Sequence, residues 1–251
     1  MVCRFPTVTE TPDPKHGERF KAWMASGTGD PNPAIPAATV ILLRDSEAGV
    51  ETLMLRRNSK IAFGGMWVFP GGRVEEGDDD GTADELVAAR RAAVREAEEE
   101  SGLVVAVDDL VPVSHWTPPP VTPKRFSTWF FVARAPDGAV VIDDGEIREH
   151  RWVTPQDALS LRDRSEIELA PPTWVTLHTL TTATDTADAL ARAAAVEPLV
   201  FVTQIAKTAD GLAALWAGDH AYETGENADA PGPRHRLVMA DTAWRYERTD
   251  A

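Results

Sequence analysis

The segment from Thr82 to Gly102 constrains this chain most: it reads as one long helix with a small-residue face and an acidic end. Leu86, Ala89, Ala93 and Ala97 recur at three- and four-residue spacing, a narrow stripe that can lie close against a sheet. The fold must therefore supply that sheet. Thr82-Ala83-Asp84-Glu85 has the Ser/Thr-x-x-Glu form of a capping box, and Gly102 after Ser101 suits a left-handed stop. At the acidic end Glu96, Glu99 and Glu100 fall at i, i+3 and i+4, on one face.

Three like charges that close repel one another unless something positive lies between them. A solvated acidic face is one reading, since surface helices often carry one. The other is a site for a hard divalent cation, Mg²⁺ or Mn²⁺, which takes oxygen ligands. Arg95, four residues before Glu99, is placed to orient that carboxylate and offset its charge.

Composition sharpens the choice. The 251 residues carry 25 Lys and Arg against 40 Asp and Glu, a formal charge of −15. Eleven of those carboxylates lie between Glu75 and Glu100 with only Arg90, Arg91 and Arg95 to offset them, so −8 of the charge sits in one segment. Such a balance, without a basic stripe, argues against nucleic acid as a partner. The apolar runs Ala37 to Leu43 and Pro198 to Val202 fall far short of the roughly 18 residues that span a bilayer, so no membrane partner is expected. Met1 to Pro6 lacks an apolar run of signal-peptide length, and the single cysteine, Cys3, cannot form an intrachain disulfide. A cytoplasmic protein is the expectation.

The chain divides into three stretches. Residues 1–36, rich in Pro, Gly and Asp with a helix-like piece at Glu18 to Met24, read as an N-terminal arm. Residues 37–160 interleave strand and helix signals: Ala37 to Leu43 and Glu51 to Arg57 around a polar turn, Met66 to Phe69 before Pro70-Gly71-Gly72, the long helix, then Thr128 to Ala133, Val140 to Ile142 and Glu149 to Val153. Pro155 and Pro171-Pro172 suit helix starts, Asp185 to Val196 is an alanine-rich helix, and Arg236 to Met239 with Ala243 to Tyr246 reads as a terminal hairpin. The fold class is α/β (α+β), a layered core with a C-terminal helical and hairpin extension at 161–251 packed on it.

Phe69-Pro70-Gly71-Gly72 followed by Arg95-Glu96-Ala97-Glu98-Glu99-Glu100-Ser101-Gly102-Leu103 resembles the Nudix hydrolase box, G-x5-E-x7-R-E-U-x-E-E-x-G-U with U aliphatic. The second half matches at every fixed position. In the first half Asp78 stands where the family has Glu, and sixteen residues rather than seven separate it from Arg95. The nine extra residues suggest a longer loop around Asp79 to Asp84 and an extra helical turn. An interrupted box is similar to that of a long Nudix subgroup that includes coenzyme A diphosphatases. Arg56, Gly65 and Phe69 to Gly72 match the motif preceding the box in such enzymes, whereas Met54, Arg57 and Ile61 depart from it. Lys124 to Phe131 and Pro171-Pro172-Thr173 look like that subgroup too.

The resemblance implies an α/β/α sandwich with a mixed sheet, binding Mg²⁺ or Mn²⁺ and hydrolysing a nucleoside diphosphate linked to a moiety X, coenzyme A or acyl-CoA among them. Bound metal would neutralise the diphosphate and activate a water. By the same resemblance Glu96, Glu99 and Glu100 are the metal-ligand candidates, Glu99 or Glu100 the base, and Arg95 the residue that holds them. Gly71, Gly72, Asp78 and Gly102 are motif positions, and Glu146 is the candidate for a carboxylate outside the box. For substrate contacts, Arg56, Arg57, Lys60, Arg73, Lys124 and Arg125 are the nearby cations; Arg56 and Arg57 point to opposite faces if both lie on one strand. Arg56, Arg73, Arg125 and Phe126 are the substrate-binding candidates, and Trp67, Trp116 and Trp129 are aromatics that could stack on a base but in strands more often serve as core.

Other chemistries fare worse. His16, His115, His150, His178, His220 and His235 lack metal-ligand spacing, and no Gly-x-Ser-x-Gly elbow is present. Two alternatives stand beside the leading reading: a hydrolase of ADP-ribose or NADH-type dinucleotides, and a non-catalytic nucleotide-sensing module of the same fold. The extension is open to three roles: capping the pocket, pairing two subunits as a homodimer through the terminal hairpin, or completing the core.

Overall fold

The computed structural model describes residues 33–58, 65–79, 81–82, 84–122, 124–142, 145–241 and 243–249. Most of the expected arm lies outside these, as do Cys3, His16, Lys60, Ile61, Asp80, Ala83, Asp143 and Asp144. Among the described residues no helix is long and apolar enough to cross a membrane.

Apolar residues at alternate positions build an eight-stranded mixed sheet. β1 (Ile35–Ser46) and β2 (Gly49–Arg57) form a hairpin with four cross-strand pairs, from Ser46–Gly49 to Leu43–Thr52, and then part. The gap between them holds β3 (Trp67–Val68) on β2 and β4 (Gly71–Arg73) on β1. Beyond β1 lies β6 (Phe126–Arg134), parallel to it, then antiparallel β5 (Val111–Thr117), while β7 (Ile147–Val153) pairs with the other edge of β2.

One face of this sheet carries α1 (Glu85–Ser101). Its stripe of Ala89, Ala93 and Ala97, joined by Ala92, packs on Ala38, Val40, Leu42, Leu53 and Leu55. The close approach expected from alanine is thus realised, and Gly102 ends the helix at φ 70°. Two details differ from expectation. The cap at the helix start is Asp84, whose carboxylate accepts the Leu86 N–H at 2.9 Å, with Thr82 two residues too early. Val140 to Ile142 is not a strand: the Val141 N–H donates to Ser101 O at the end of α1 (2.8 Å), so this backbone finds a helix terminus in place of a ladder.

The opposite face carries α2 (Pro155–Asp163), α3 (Pro171–Leu180) and α4 (Thr186–Ala194), two of them opened by proline at the first turn. Next, β8 (Leu199–Val202) enters the main sheet parallel to β5, pairing Ser114–Thr117 with Leu199–Val202. β9 (Gln204–Thr208), β10 (Gly211–Leu215), β11 (His235–Met239) and β12 (Trp244–Arg248) form a second, antiparallel sheet, whose last two strands are the expected hairpin. One face of it joins the main core. Trp216, Phe201 and Trp116 nest there, Phe201 stacked on Trp116 at 3.7 Å and Trp216 edge-on at 5.5 Å. The result is a sheet between helices, an α/β sandwich with a small sheet added to its second layer.

Candidate active site

The turn Phe69-Pro70-Gly71-Gly72 lies where β1 and β2 part, and it is held from below. Thr39 Oγ1 donates to Pro70 O at 2.6 Å, and the Val40 N–H donates to the same oxygen at 3.0 Å. Close approach explains the glycines. A Cβ on Gly71 would lie 2.4 Å from Ala38 O, and one on Gly72 would lie 2.2 Å from Glu96 Oε1. With neither Cβ present, β4 lies against the carboxylates of α1.

Those carboxylates are held in different ways. Arg95 donates to Asp78 through Nε and Nη2 (3.2 and 2.9 Å), to Glu96 (2.9 Å), to Glu99 (3.1 Å) and to Arg73 O (2.9 Å). Asp78, the last residue of the 3₁₀ turn Glu76–Asp78, is buried and also accepts the Glu75 N–H at 2.8 Å. Burial works to raise its pKa, yet the Arg95 hydrogen bonds outweigh that and hold it below the usual carboxylate range. The insertion before α1 therefore leaves Asp78 beside Arg95, seventeen positions away.

Glu100 is the exception in this network. It is 4% exposed, and its Oε2 accepts the Gly71 N–H at 2.9 Å. Its Oε1 is buried without a hydrogen bond, with Arg57 Nη1 at 3.8 Å. Burial pushes its pKa up to about 7, against the opposing pull of the Gly71 N–H and Arg57. Burial also raises Glu96, in spite of Arg95. Glu99 is largely exposed on the same helix face.

Arg57 closes the other side. It shares the α1 face of the sheet with Leu53 and Leu55, which is why it meets Glu100. Opposite it, β7 carries one extra residue, Arg148, between the partners of Arg56 and Arg57. Arg57 Nη2 reaches Glu146 at 2.7 Å and its Nη1 lies 3.4 Å from Gly71 O.

These groups line one end of a cleft of about 710 Å³, within the range of small-molecule sites. Of the residues singled out from sequence, Arg73, Arg95, Glu96, Glu99, Glu100, Phe126, Glu146, Gly71 and Gly72 line it. Arg73 and Lys124 sit by the Phe126 ring, at 5.9 and 5.4 Å from its centroid. Arg56 and Arg125 do not line it: Arg56 turns to Glu149 at 3.7 Å, and Arg125 donates to Pro118 O at 3.3 Å. Arg57 takes the place on the cleft face. Gly102 and Asp78 support the wall from behind. Sequence reasoning did not reach the residues from beyond 200 that complete the cleft: Thr203, Ile205, Ala214 and Met239. Their only sequence signal is the strand-like alternation of that stretch.

Could this end hold a divalent cation? Among the described residues no three His, Cys, Asp or Glu side chains converge as a closed ligand set, because Arg95 draws Glu96 and Glu99 while Gly71 holds Glu100. The donors are nonetheless hard oxygens, and Glu100 Oε1 is a buried charge-bearing atom with no hydrogen bond. A hard cation is the partner that such an oxygen lacks, so the residues fit the group.

The NUDIX domain family matches residues 33–174, more than half of the chain and the whole of the box. A NUDIX hydrolase of Alicyclobacillus acidocaldarius has a similar fold: TM-score 0.59 at 21% identity, covering 64% of this chain and 97% of that one. An Ap4A hydrolase of C. elegans (TM-score 0.41, 22% identity, 59% and 96% covered) and the NUDIX domain of Shewanella oneidensis NrtR complexed with ADP ribose (0.45, 17%, 63% and 94%) also match. No curated protein matches the chain.

Proposed function

The chain belongs to the NUDIX domain family, and we propose that it is a hydrolase that uses Mg²⁺ or Mn²⁺ to cleave the diphosphate of a nucleoside diphosphate linked to a moiety X. Glu100 carries the reading: a buried carboxylate with one oxygen left without a hydrogen bond, in a cleft edged by Arg57, Arg73 and Lys124. Glu96, Glu99 and Glu100 would hold the metal, which when bound offsets the charge of the diphosphate and lowers the pKa of a coordinated water.

The chain's own groups divide the remaining work. Arg95 fixes Glu96 and Glu99 and is itself anchored on Asp78. The Gly71 N–H sets the direction of the Glu100 carboxylate. Burial pushes Glu100 to about 7 in the metal-free protein, which a bound cation would lower, and of Glu99 and Glu100 the carboxylate oxygen left off the metal would accept the proton of an attacking water. Arg73, stacked by Phe126, and Lys124 present positive charge to the phosphates. Arg57 ties Glu146 to the box and keeps that carboxylate over the cleft.

Coenzyme A is the X that the motif residues Gly65 and Phe69 to Gly72 favour; Arg56, the third match, points away from the cleft toward Glu149. The deciding experiment is a panel of coenzyme A, ADP-ribose, NADH and diadenosine polyphosphates with Mg²⁺ and Mn²⁺, with identification of the products. Metal-dependent cleavage between the two phosphorus atoms, abolished in Glu99→Gln/Glu100→Gln, is expected. Tight binding of one member without turnover would instead make the protein a nucleotide sensor.

A further inference from the structure

We propose that the C-terminal sheet is the selecting wall of this site, and that it receives a hydrocarbon portion of the group X. The proposal rests on the reading of the cleft as a diphosphate hydrolase site and adds what that reading leaves open.

The cleft has two chemically different ends. Around α1 it is ionic; at the far end it is bounded by Trp116 and Phe130 of the main sheet and by Thr203, Ile205, Ala214 and Met239 of the extension. Ile205 and Ala214 are direct cross-strand partners on β9 and β10, and Met239 lies on the neighbouring β11. All three belong to, or pack against, the apolar cluster that joins the small sheet to the main one. The hydroxyl at the edge of the small sheet, Thr203 Oγ1, already accepts the Trp216 indole N–H at 3.1 Å, and the extension's other hydroxyl on the cleft, Thr173, belongs to α3 and not to this sheet.

A nucleobase or nicotinamide placed against this wall would leave its amino and carbonyl groups without partners there. A hydrocarbon has no such groups, and each methylene taken out of water is worth about fourfold in affinity. The wall is also fixed. β8 pairs along β5, and Phe201 lies flat on Trp116, so the extension holds the cleft at a set width. These strands lie outside residues 33–174, so the selecting wall is an addition to the family's domain.

The test compares kcat/KM for two series, acyl-coenzyme A and alkyl esters of ADP, each with chains of about two to twelve carbons. In both series kcat/KM should climb with chain length, by up to about fourfold per methylene, and then level off. Met239→Trp should move the levelling point to shorter chains and Met239→Ala to longer ones; Ile205→Phe, on β9 across β10 from Met239, is the second occluding variant if Met239→Trp does not fold. Cleavage of both series with no dependence on chain length, or variants that leave the levelling point in place, would overturn the wall and leave the hydrolase reading intact. Calorimetric binding that tightens with chain length but comes without cleavage would support the wall and sink the hydrolase reading. A rise confined to the acyl series would overturn recognition of the hydrocarbon itself, since the alkyl esters carry the same chain.

Discussion

Two buried carboxylates, one in each half of the molecule, meet opposite treatment. Asp219, 6% exposed in the extension, is saturated: its oxygens accept from Arg236 Nε (2.6 Å) and Nη2, from the His235 N–H (3.0 Å) and from the Ala221 N–H (3.0 Å). Burial opposes ionisation there, but these donors prevail and hold its pKa below the ordinary value. Glu100 is as deeply buried and receives one backbone N–H, and its pKa is driven up. A buried charge with every lone pair engaged is a strut. One with an oxygen left over, set in a cleft, is what the proposed metal site requires, since a cation bound there would offset the desolvation.

The largest test of this contrast is catalytic. Glu100→Gln keeps shape and removes charge, and it should lower kcat by about 10²- to 10⁴-fold. Asp219→Asn, assayed where the protein is still folded, should turn over near the wild-type rate. Steady-state kinetics of the two variants on any substrate from the panel checks both; full activity in Glu100→Gln would erase the distinction. Stability should run the other way. Asp219→Asn strands the Arg236 guanidinium, 2% exposed, and should cost about 3–5 kcal/mol in urea unfolding, whereas Glu100→Gln should cost little or stabilise the metal-free protein.

The pH dependence has opposite signs at the two sites. Asp219 has a folded pKa below its unfolded value of 3.8, so its contribution is present above that pH and disappears as pH falls through the folded pKa. Glu100 has a folded pKa raised from 4.5 to about 7, so the metal-free protein gains from it below 4.5 and loses that gain as pH rises toward about 7. The loss should be about 1–3 kcal/mol between pH 5 and 8. Thermal unfolding of metal-free protein across that window should show a downward slope that Glu100→Gln flattens and that Mn²⁺ reverses.

How visible were these features in the chain? The α1 side was legible because its signals are local. A stripe of alanines, a glycine stop and three carboxylates at helical spacing need only the helix to bring them to one face. Alternation along β2 told that Arg56 and Arg57 must diverge, but which of them meets α1 depends on the faces occupied by Leu53, Leu55 and Met54, and that is settled by packing. The apolar run Val140 to Ile142 carried strand-like residues whose backbone found Ser101. Least visible was the far wall. Ser114 pairs with Leu199, and Asp219 with Arg236 across a loop, through contacts that no periodicity announces.

The smallest predicted effect isolates what burial does within the box itself. Glu99 is one residue from Glu100 and bonds to the same kind of cation, yet its side chain is 59% exposed and its partner Arg95 lies at i, i+4. A pair of that sort contributes about 0.3–0.5 kcal/mol, because water competes for both ends. Glu99→Gln should therefore leave the unfolding midpoint almost unchanged at every pH, with no counterpart of the slope expected from Glu100. Its effect should appear in metal titration instead, as weaker Mn²⁺ binding and a higher metal requirement for turnover. If Glu99→Gln destabilises the protein as strongly as Asp219→Asn, the carboxylates of α1 act as struts after all, and an incomplete set of partners is no guide to where the ligand goes.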